Sequence, residues 1–226
     1  MKKVVISLGG SLIIPDKIDY GFLKRFKETI RRISKNNKIV IVTGGGKISR
    51  EYMRVLEKEG LNEGAVGWGG VMIVRANGYL VKTFLGIKGD MPRNINDVKR
   101  TLRKSNLVVA VGTFGFIKRG TTDGEAALIA KEIKADYFVN MTNVSGLHDK
   151  NPLKYKDARF IRKISFKDFM KIVNKIKYKP GQHFVLDQAA AGVISRYGIK
   201  TYIIGRNLKN LENLMKGKRF RGSEIS

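Results

Sequence analysis

Residues 39–47 read Ile39-Val40-Ile41-Val42-Thr43-Gly44-Gly45-Gly46-Lys47. A β-branched apolar run of this length is a buried strand, and three glycines stop it abruptly. Ile48, Tyr52, Val55 and Leu56 follow at helical spacing, and Gly60 supplies the stop. The same grammar occurs upstream, where Val4-Val5-Ile6 runs to Leu8 and then into Gly9-Gly10-Ser11. Phe22, Leu23, Phe26, Ile30 and Ile33 then recur at helical spacing. Downstream, Leu107–Val111 reads as a strand, followed by a Gly- and Thr-rich loop and a helix through Ala126, Ala127, Ile129, Ala130 and Ile133. Tyr137–Met141 is a further strand, and a helix over Asp187–Tyr197 feeds the strand Thr201–Ile204. Strands separated by helices require parallel crossovers, so the expected fold is α/β: a three-layer α/β/α sandwich around a mainly parallel central sheet.

Length and composition set the frame. With 226 residues, 42% hydrophobic and 28% charged, the chain suits one globular domain spanning 1–226. The most basic stretch, Leu153–Pro180, holds ten Lys or Arg against two acids, but no Pro/Gly-rich hinge marks a boundary there. It reads as a solvated basic face. The absence of cysteine excludes disulfides, thiolate metal sites and cysteine nucleophiles. Two histidines are too few for a zinc cage made of His and Cys alone. Of these, His183 has no partner motif and reads as structural. No run approaches the ~20 apolar residues of a membrane span, and the N-terminal run is too short for a signal peptide, so a cytoplasmic protein without membrane contact is expected. Lys plus Arg exceed Asp plus Glu by 45 to 19, a net charge of +26 that favours anionic partners. No RNA- or DNA-binding module is present; nucleic acid is not the expected partner, although the basic surface leaves it open.

The glycine junctions carry the chemistry. Glycine lets backbone N–H groups converge on an anion, and the second junction opens directly into a helix N-terminus. Lys47 and Arg50 add cations on that first turn. An ordinary tight turn explains one such junction; two at the ends of consecutive strands point to phosphate. The loops are neither G-x-x-x-x-G-K-[ST] nor G-x-G-x-x-G, so the chain is not a standard P-loop or dinucleotide-binding protein. A third loop, Gly112 to Asp123, brings two cations (Lys118 and Arg119), a glycine and the hydroxyls of Thr121 and Thr122 to another helix start. Asp123 there is either a helix cap or the residue that orients a cation or Mg²⁺ beside a transferring phosphoryl group. Thr142-Asn143-Val144-Ser145-Gly146-Leu147-His148 is a fourth loop, able to cradle an adenosine and, taken alone, a turn. Trp68, among Gly67, Gly69 and Gly70, is a base-stacking, core or interface residue.

In order, G-G-S, G-G-G-K-x-x-R, G-T-T-D-x-x-A-A, T-N-V-x-G and a terminal G-[ST]-x-I resemble the amino acid kinase superfamily, and within it the archaeal-type uridylate kinases. The resemblance runs from Val4 to Ile225. It implies transfer of the ATP γ-phosphoryl to UMP with Mg²⁺, for pyrimidine nucleotide synthesis, in a homohexamer. The N-terminal half would bind the acceptor and form the oligomer; the C-terminal half would bind ATP. By motif, Gly9, Gly10, Ser11, Gly46, Arg50, Thr142, Asn143, His148 and Asn151 would serve ATP. Gly45, Gly67, Thr113, Phe114, Gly120, Thr121 and Thr122 would serve UMP. Asp123 would organise the catalytic centre, and no side chain is assigned as a metal ligand. Two lysines of the superfamily are replaced, one by Ser7 and one near Phe184, so Lys47 or another cation is expected to stabilise the transition state. Gly67 stands where the family has a ribose-binding Asp, His148 and Asn151 where it has an adenosine-side Tyr and Asp, and the acceptor loop is two residues longer. The alternatives are a kinase of the same fold for another small phosphorylated acceptor, and a non-catalytic nucleotide- or nucleic-acid-binding regulator.

Overall fold

A computed structural model describes residues 1–111, 121–150, 152, 155–175 and 186–226. The elements are β1 (Lys2–Leu8), α1 (Gly10–Ile13), α2 (Tyr20–Ile33), β2 (Asn37–Thr43), α3 (Gly46–Lys58), α4 (Glu63–Leu85), α5 (Ile95–Lys104), β3 (Leu107–Val111), α6 (Thr122–Glu132) and β4 (Tyr137–Met141). They continue as β5 (Leu147–His148), β6 (Phe160–Ile161), β7 (Lys163–Ile164), α7 (Phe166–Lys175), α8 (Gln188–Tyr197), β8 (Thr201–Ile204), α9 (Leu208–Met215) and β9 (Gly222–Ile225). The main sheet has the order β3-β2-β1-β4-β8-β9-β7. Its first five strands are parallel; β9 runs antiparallel to β8 and parallel to β7. A small hairpin pairs β5 with β6.

Strands β1 and β2 are unbroken apolar runs because both sheet faces are covered. Val5, Val40 and Val42 turn to one layer, packing with Val98 of α5, Ile129 of α6, Phe169 of α7 and Ile194 of α8. Val4, Ile6, Ile39 and Ile41 turn to the other, with Phe22, Phe26 and Ile30 of α2, Val81 of α4 and Leu211 of α9. The mainly parallel α/β/α sandwich expected from the sequence is the fold observed, and β4 and β8 have the ends read from the sequence.

One expectation is corrected. The apolar residues of α3 do not form a buried stripe: Tyr52 and Val55 are 55% and 59% exposed, and Ser49 is the buried residue of this helix. The glycine-rich stretch after Gly60, to which the sequence pattern assigns no element, is the start of α4, 23 residues long. Its glycines are contact points. A Cβ on Gly69 would collide with Leu56 of α3, and one on Gly70 would lie 2.9 Å from the Met53 sulfur. Close packing of α3 on α4 thus outweighs the roughly 1 kcal/mol that each mid-helix glycine costs. Trp68 lies on the outer side of this helix, 42% exposed, and is not part of the core.

Candidate active site

The carboxyl ends of parallel strands are where an open α/β sheet leaves a crevice, and the glycine junctions meet there. Gly9 N–H donates to Met141 O at the end of β4 (2.9 Å), and Gly44 N–H donates to Leu8 O at the end of β1 (2.9 Å). The first and second junctions then touch backbone to backbone. A Cβ on Gly10 would sit 2.6 Å from Gly44 O and collide with the Gly46 nitrogen; Gly46 itself has φ +68°. Close approach therefore accounts for these glycines. It also leaves the starts of α1 and α3 side by side, capped by Gly9 and Gly45, neither of which has a side chain to satisfy the first-turn N–H groups. Asn77 of α4, fully inside, donates from Nδ2 to Gly44 O (2.8 Å) and fixes the second junction from behind.

The third junction joins them through Ser7 and Asp123. Ser7, buried on β1, donates from Oγ to Asp123 Oδ1 at 2.5 Å. Asp123 sits in the first turn of α6 but does not cap it: Thr121 is the N-cap, its Oγ1 accepting from Gly124 N–H at 3.0 Å. Thr122 Oγ1 reaches toward Gly44, 3.7 Å from where a Cβ would stand. The start of α8 packs on the start of α6, since a Cβ on Gly124 would be 3.0 Å from Ala189 Cβ. Asp187 caps α8, accepting from Ala190 N–H at 2.8 Å. Burial, and then the neighbouring Asp187 charge, push the Asp123 carboxyl up to about 7, with the Ser7 hydrogen bond pulling the other way.

The cations lie on the rim. Arg50 is half-buried on α3, and burial followed by the charge of Arg54 pulls its guanidinium below the usual arginine range. Lys47 Nζ rests 3.3 Å from Asp16 Oδ1 in an open ion pair, a contact weak enough to exchange for a ligand. Thr142 N–H donates to Ile204 O (3.0 Å), which holds the fourth loop against β8, and its hydroxyl points to Asn143 Oδ1 at 3.3 Å. His148 stands off in the β5–β6 hairpin, its Nδ1 3.1 Å from Gly146 O and its ring edge-on to Phe160. Gly67 lies within α4.

Gly9, Gly10, Ser11, Gly45, Gly46, Thr121, Thr122, Asp123 and Thr142 thus converge, while Lys47, His148 and Gly67 are peripheral in this arrangement. Thr113, Phe114, Gly120, Asn151 and His183, with Lys118 and Arg119, lie outside the described residues. Asn77 and Asp187 were not anticipated from sequence. Asp187 is legible in the sequence only as the first residue of a helix, and Asn77 carries no local signal of its role. Among the described residues no group of three His, Cys, Asp or Glu gathers as a metal site, and no helix is long and apolar enough to cross a membrane.

Glycine junctions packed at the strand ends, beside a partly buried carboxyl, define a phosphate-handling α/β protein. The sequence description of the Amino acid kinase family matches residues 2–205, and the chain belongs to that family. Its relatives narrow this further. It is 35% identical to the uridylate kinase of Pyrococcus abyssi and 33% identical to that of Thermococcus kodakarensis, over 96% of each chain in both cases. The crystal structure of uridylate kinase from Archaeoglobus fulgidus superposes on the whole chain with a TM-score of 0.87 at 31% identity, both chains covered completely.

Proposed function

We infer that this protein is a uridylate kinase: a phosphate oxygen of UMP attacks the γ-phosphorus of ATP, the bond to the β–γ bridging oxygen breaks, and UDP and ADP leave. Full-length likeness to uridylate kinases supports the assignment. The observation that carries the chemistry is the meeting of two uncapped helix starts with the Ser7–Asp123 pair.

Phosphoryl transfer requires little covalent chemistry from a protein; it requires fixed donors and positive charge around the three equatorial oxygens. The N–H groups at the starts of α1 and α3 supply fixed donors at no cost in side-chain ordering. In this reading Gly9, Gly10, Ser11 and Gly46 face the ATP phosphates, with Arg50 clamping them and Thr142, Asn143, His148 and Asn151 toward the adenosine. Gly45, Gly67, Thr113, Phe114 and the Gly120–Thr122 turn face UMP. The N-terminal half thus takes the acceptor and the C-terminal half ATP, within one domain. Lys47, freed from Asp16, is the cation for the transferring group.

Asp123 and Asp187 form a donor set that fits Mg²⁺. Two nearby carboxylates repel each other, as the raised acid of Asp123 records, yet they fall short of a self-sufficient cage. A small hard cation that keeps waters and takes its remaining ligands from substrate phosphates suits such a pair. Bound there, Mg²⁺ would neutralise phosphate charge. Asp123, held by Ser7, sets the position of that negative focus.

An oligomer, by resemblance a hexamer, is part of the reading. Trp68, Met72 and Tyr79 recur at helical spacing on α4 and are exposed, as are Tyr52 and Val55 on α3. The protein works in the cytoplasm in this reading. The test is ADP release with ATP, Mg²⁺ and UMP, CMP, AMP or GMP as acceptor. UMP should give the highest turnover; acceptor-independent or absent release would remove the assignment.

A further inference from the structure

The kinase chemistry leaves one built feature unused. An open cavity of about 390 Å³ lies beyond β8 and β9, walled by Phe160, Arg162, Asn210, Arg219, Phe220 and Arg221. No acidic residue lines it. Its walls are held firmly. Asn210 Oδ1 accepts from Arg221 N–H (3.1 Å), and Asn213 Nδ2 donates to Arg219 O (3.0 Å), so α9 pins the arginine-bearing segment. Arg162 is fixed through its carbonyl, which accepts from Glu224 N–H at 2.9 Å. Phe220 packs edge-on against Tyr202, and Phe160 edge-on against His148.

The backbones are anchored, but among the described residues nothing engages the three guanidinium groups. Among the described residues, none of Arg162, Arg219 and Arg221 makes a side-chain hydrogen bond or ion pair. Carboxylates close by in the fold are otherwise occupied: Glu224 pairs with Lys163 and Lys200, and Glu212 with Arg32. Arg219 and Arg221 belong to Lys216-Gly217-Lys218-Arg219-Phe220-Arg221, four cations and one aromatic in six residues without an acid.

We propose that this pocket and the basic segment beside it bind single-stranded nucleic acid, the bases stacking on Phe160 and Phe220 and the phosphates lying on Arg162, Arg219 and Arg221. Aromatic faces interleaved with unpaired arginines suit a strand whose bases are accessible, and they demand no sequence preference. A duplex hides its base faces and offers only its backbone. A mononucleotide would engage the pocket but not the cations that continue past it, and the +26 net charge far exceeds what binding two mononucleotides requires. Among the described residues the site meets the candidate active site where Phe160 packs on His148 and on Gly146 of the fourth loop; the proposal does not require that the chain phosphorylate UMP.

The test is fluorescence anisotropy of the full-length protein with labelled rU12, titrated across 50–300 mM salt. The triple variant Arg162→Gln, Arg219→Gln, Arg221→Gln should weaken binding at least tenfold. It should also lower the salt slope by about 2, at roughly 0.7 released counterions per phosphate contact on a single strand. A control removing three exposed lysines elsewhere (Lys35→Gln, Lys58→Gln, Lys88→Gln) should lose much less, and an unchanged melting temperature verifies that both variants fold. Absence of rU12 binding, equal losses in the two triple variants, tighter binding of a 12-base-pair duplex, or displacement by UMP at matched nucleotide concentration would each overturn the proposal.

Discussion

Ser7 Oγ and Asp123 Oδ1 lie 2.5 Å apart, joining the end of β1 to the first turn of α6 across 116 positions of sequence. The contact fixes a carboxyl that its surroundings keep from ionising easily: burial and the Asp187 charge raise it to about 7. Asp123→Asn preserves the shape and the hydrogen bond from Ser7 while removing the charge. Turnover should fall by at least 10²-fold, because the charge that would help hold Mg²⁺ beside the phosphates is gone. Stability should move in the opposite direction. A folded-state pKa raised above the ordinary carboxylate value favours folding at low pH, and that contribution is lost as pH rises through about 7. The melting temperature of Asp123→Asn, measured in EDTA, should therefore match wild type near pH 4. It should exceed wild type at pH 8 by roughly 10 °C, since a rise from 3.8 to about 7 corresponds to about 4 kcal/mol and each kcal/mol moves the melting temperature of a chain of this size by about 2–4 °C. A destabilised variant at pH 8 with near-normal turnover would make Asp123 a structural residue.

Asp187→Asn separates the two carboxylates. Asn still caps α8, so the helix should lose little. Removing the negative neighbour should lower the Asp123 pKa, and the acid limb of the turnover profile should move to lower pH. An unmoved acid limb would disconnect Asp187 from Asp123.

The close contact of the two glycine junctions gives a sharper structural prediction. Gly10→Ala would drive a methyl group into the Gly44–Gly46 backbone, which Asn77 holds in place and cannot release freely. The expected result is a loss of more than 3 kcal/mol or failure to fold, as for other overpacked sites that cannot relax. Asn77→Ala should cost about 1–3 kcal/mol, since it leaves the buried Gly44 carbonyl without its donor. Urea unfolding curves measure both.

How much of this could be read from the chain follows the range of the interactions. The strands β1, β2, β4 and β8 were legible because burial on both faces writes an unbroken apolar run. The helix α4 was not, because Gly69 and Gly70 meet the close approach of α3, which no local propensity contains. The strand β9, with Ser223 and Glu224 in its middle, lacks the alternation or apolar run of a strand; its pairing with β8 on one side and β7 on the other defines it. The same division holds at the site. Gly9, Gly46 and Asp123 sit in local strand–loop–helix patterns, whereas Asp187 matters through its charge on a residue 64 positions away, which sequence spacing does not disclose.

The exposed stripe on α4 predicts assembly. Trp68 is 42% and Tyr79 62% exposed, so neither supports the fold of a single copy. Replacing both by lysine should leave the melting temperature of the subunit's core transition nearly unchanged while reducing the sedimenting mass at micromolar concentration. Wild-type protein sedimenting as a single copy would remove the oligomer from the proposed function.

Arg50 is the residue on which the division of the two nucleotides can be decided. It lies one turn into α3, behind the uncapped start of that helix, where phosphate oxygens accept from the first N–H groups. Burial already pulls its guanidinium below the usual arginine range, so the residue bears a desolvation cost that a bound anion relieves. A planar fork with two parallel donors matches a phosphate better than an ammonium can. Arg50→Ala should therefore raise the KM for ATP by about tenfold or more, the scale of one charge-assisted hydrogen-bonded contact. The KM for UMP should change by less than about threefold, and Arg50→Lys should recover only part of the ATP affinity. Substrate titrations of each nucleotide at saturation of the other give both constants. If the UMP constant rises and the ATP constant does not, Arg50 belongs to the acceptor, and the assignment of the α3 helix start changes with it.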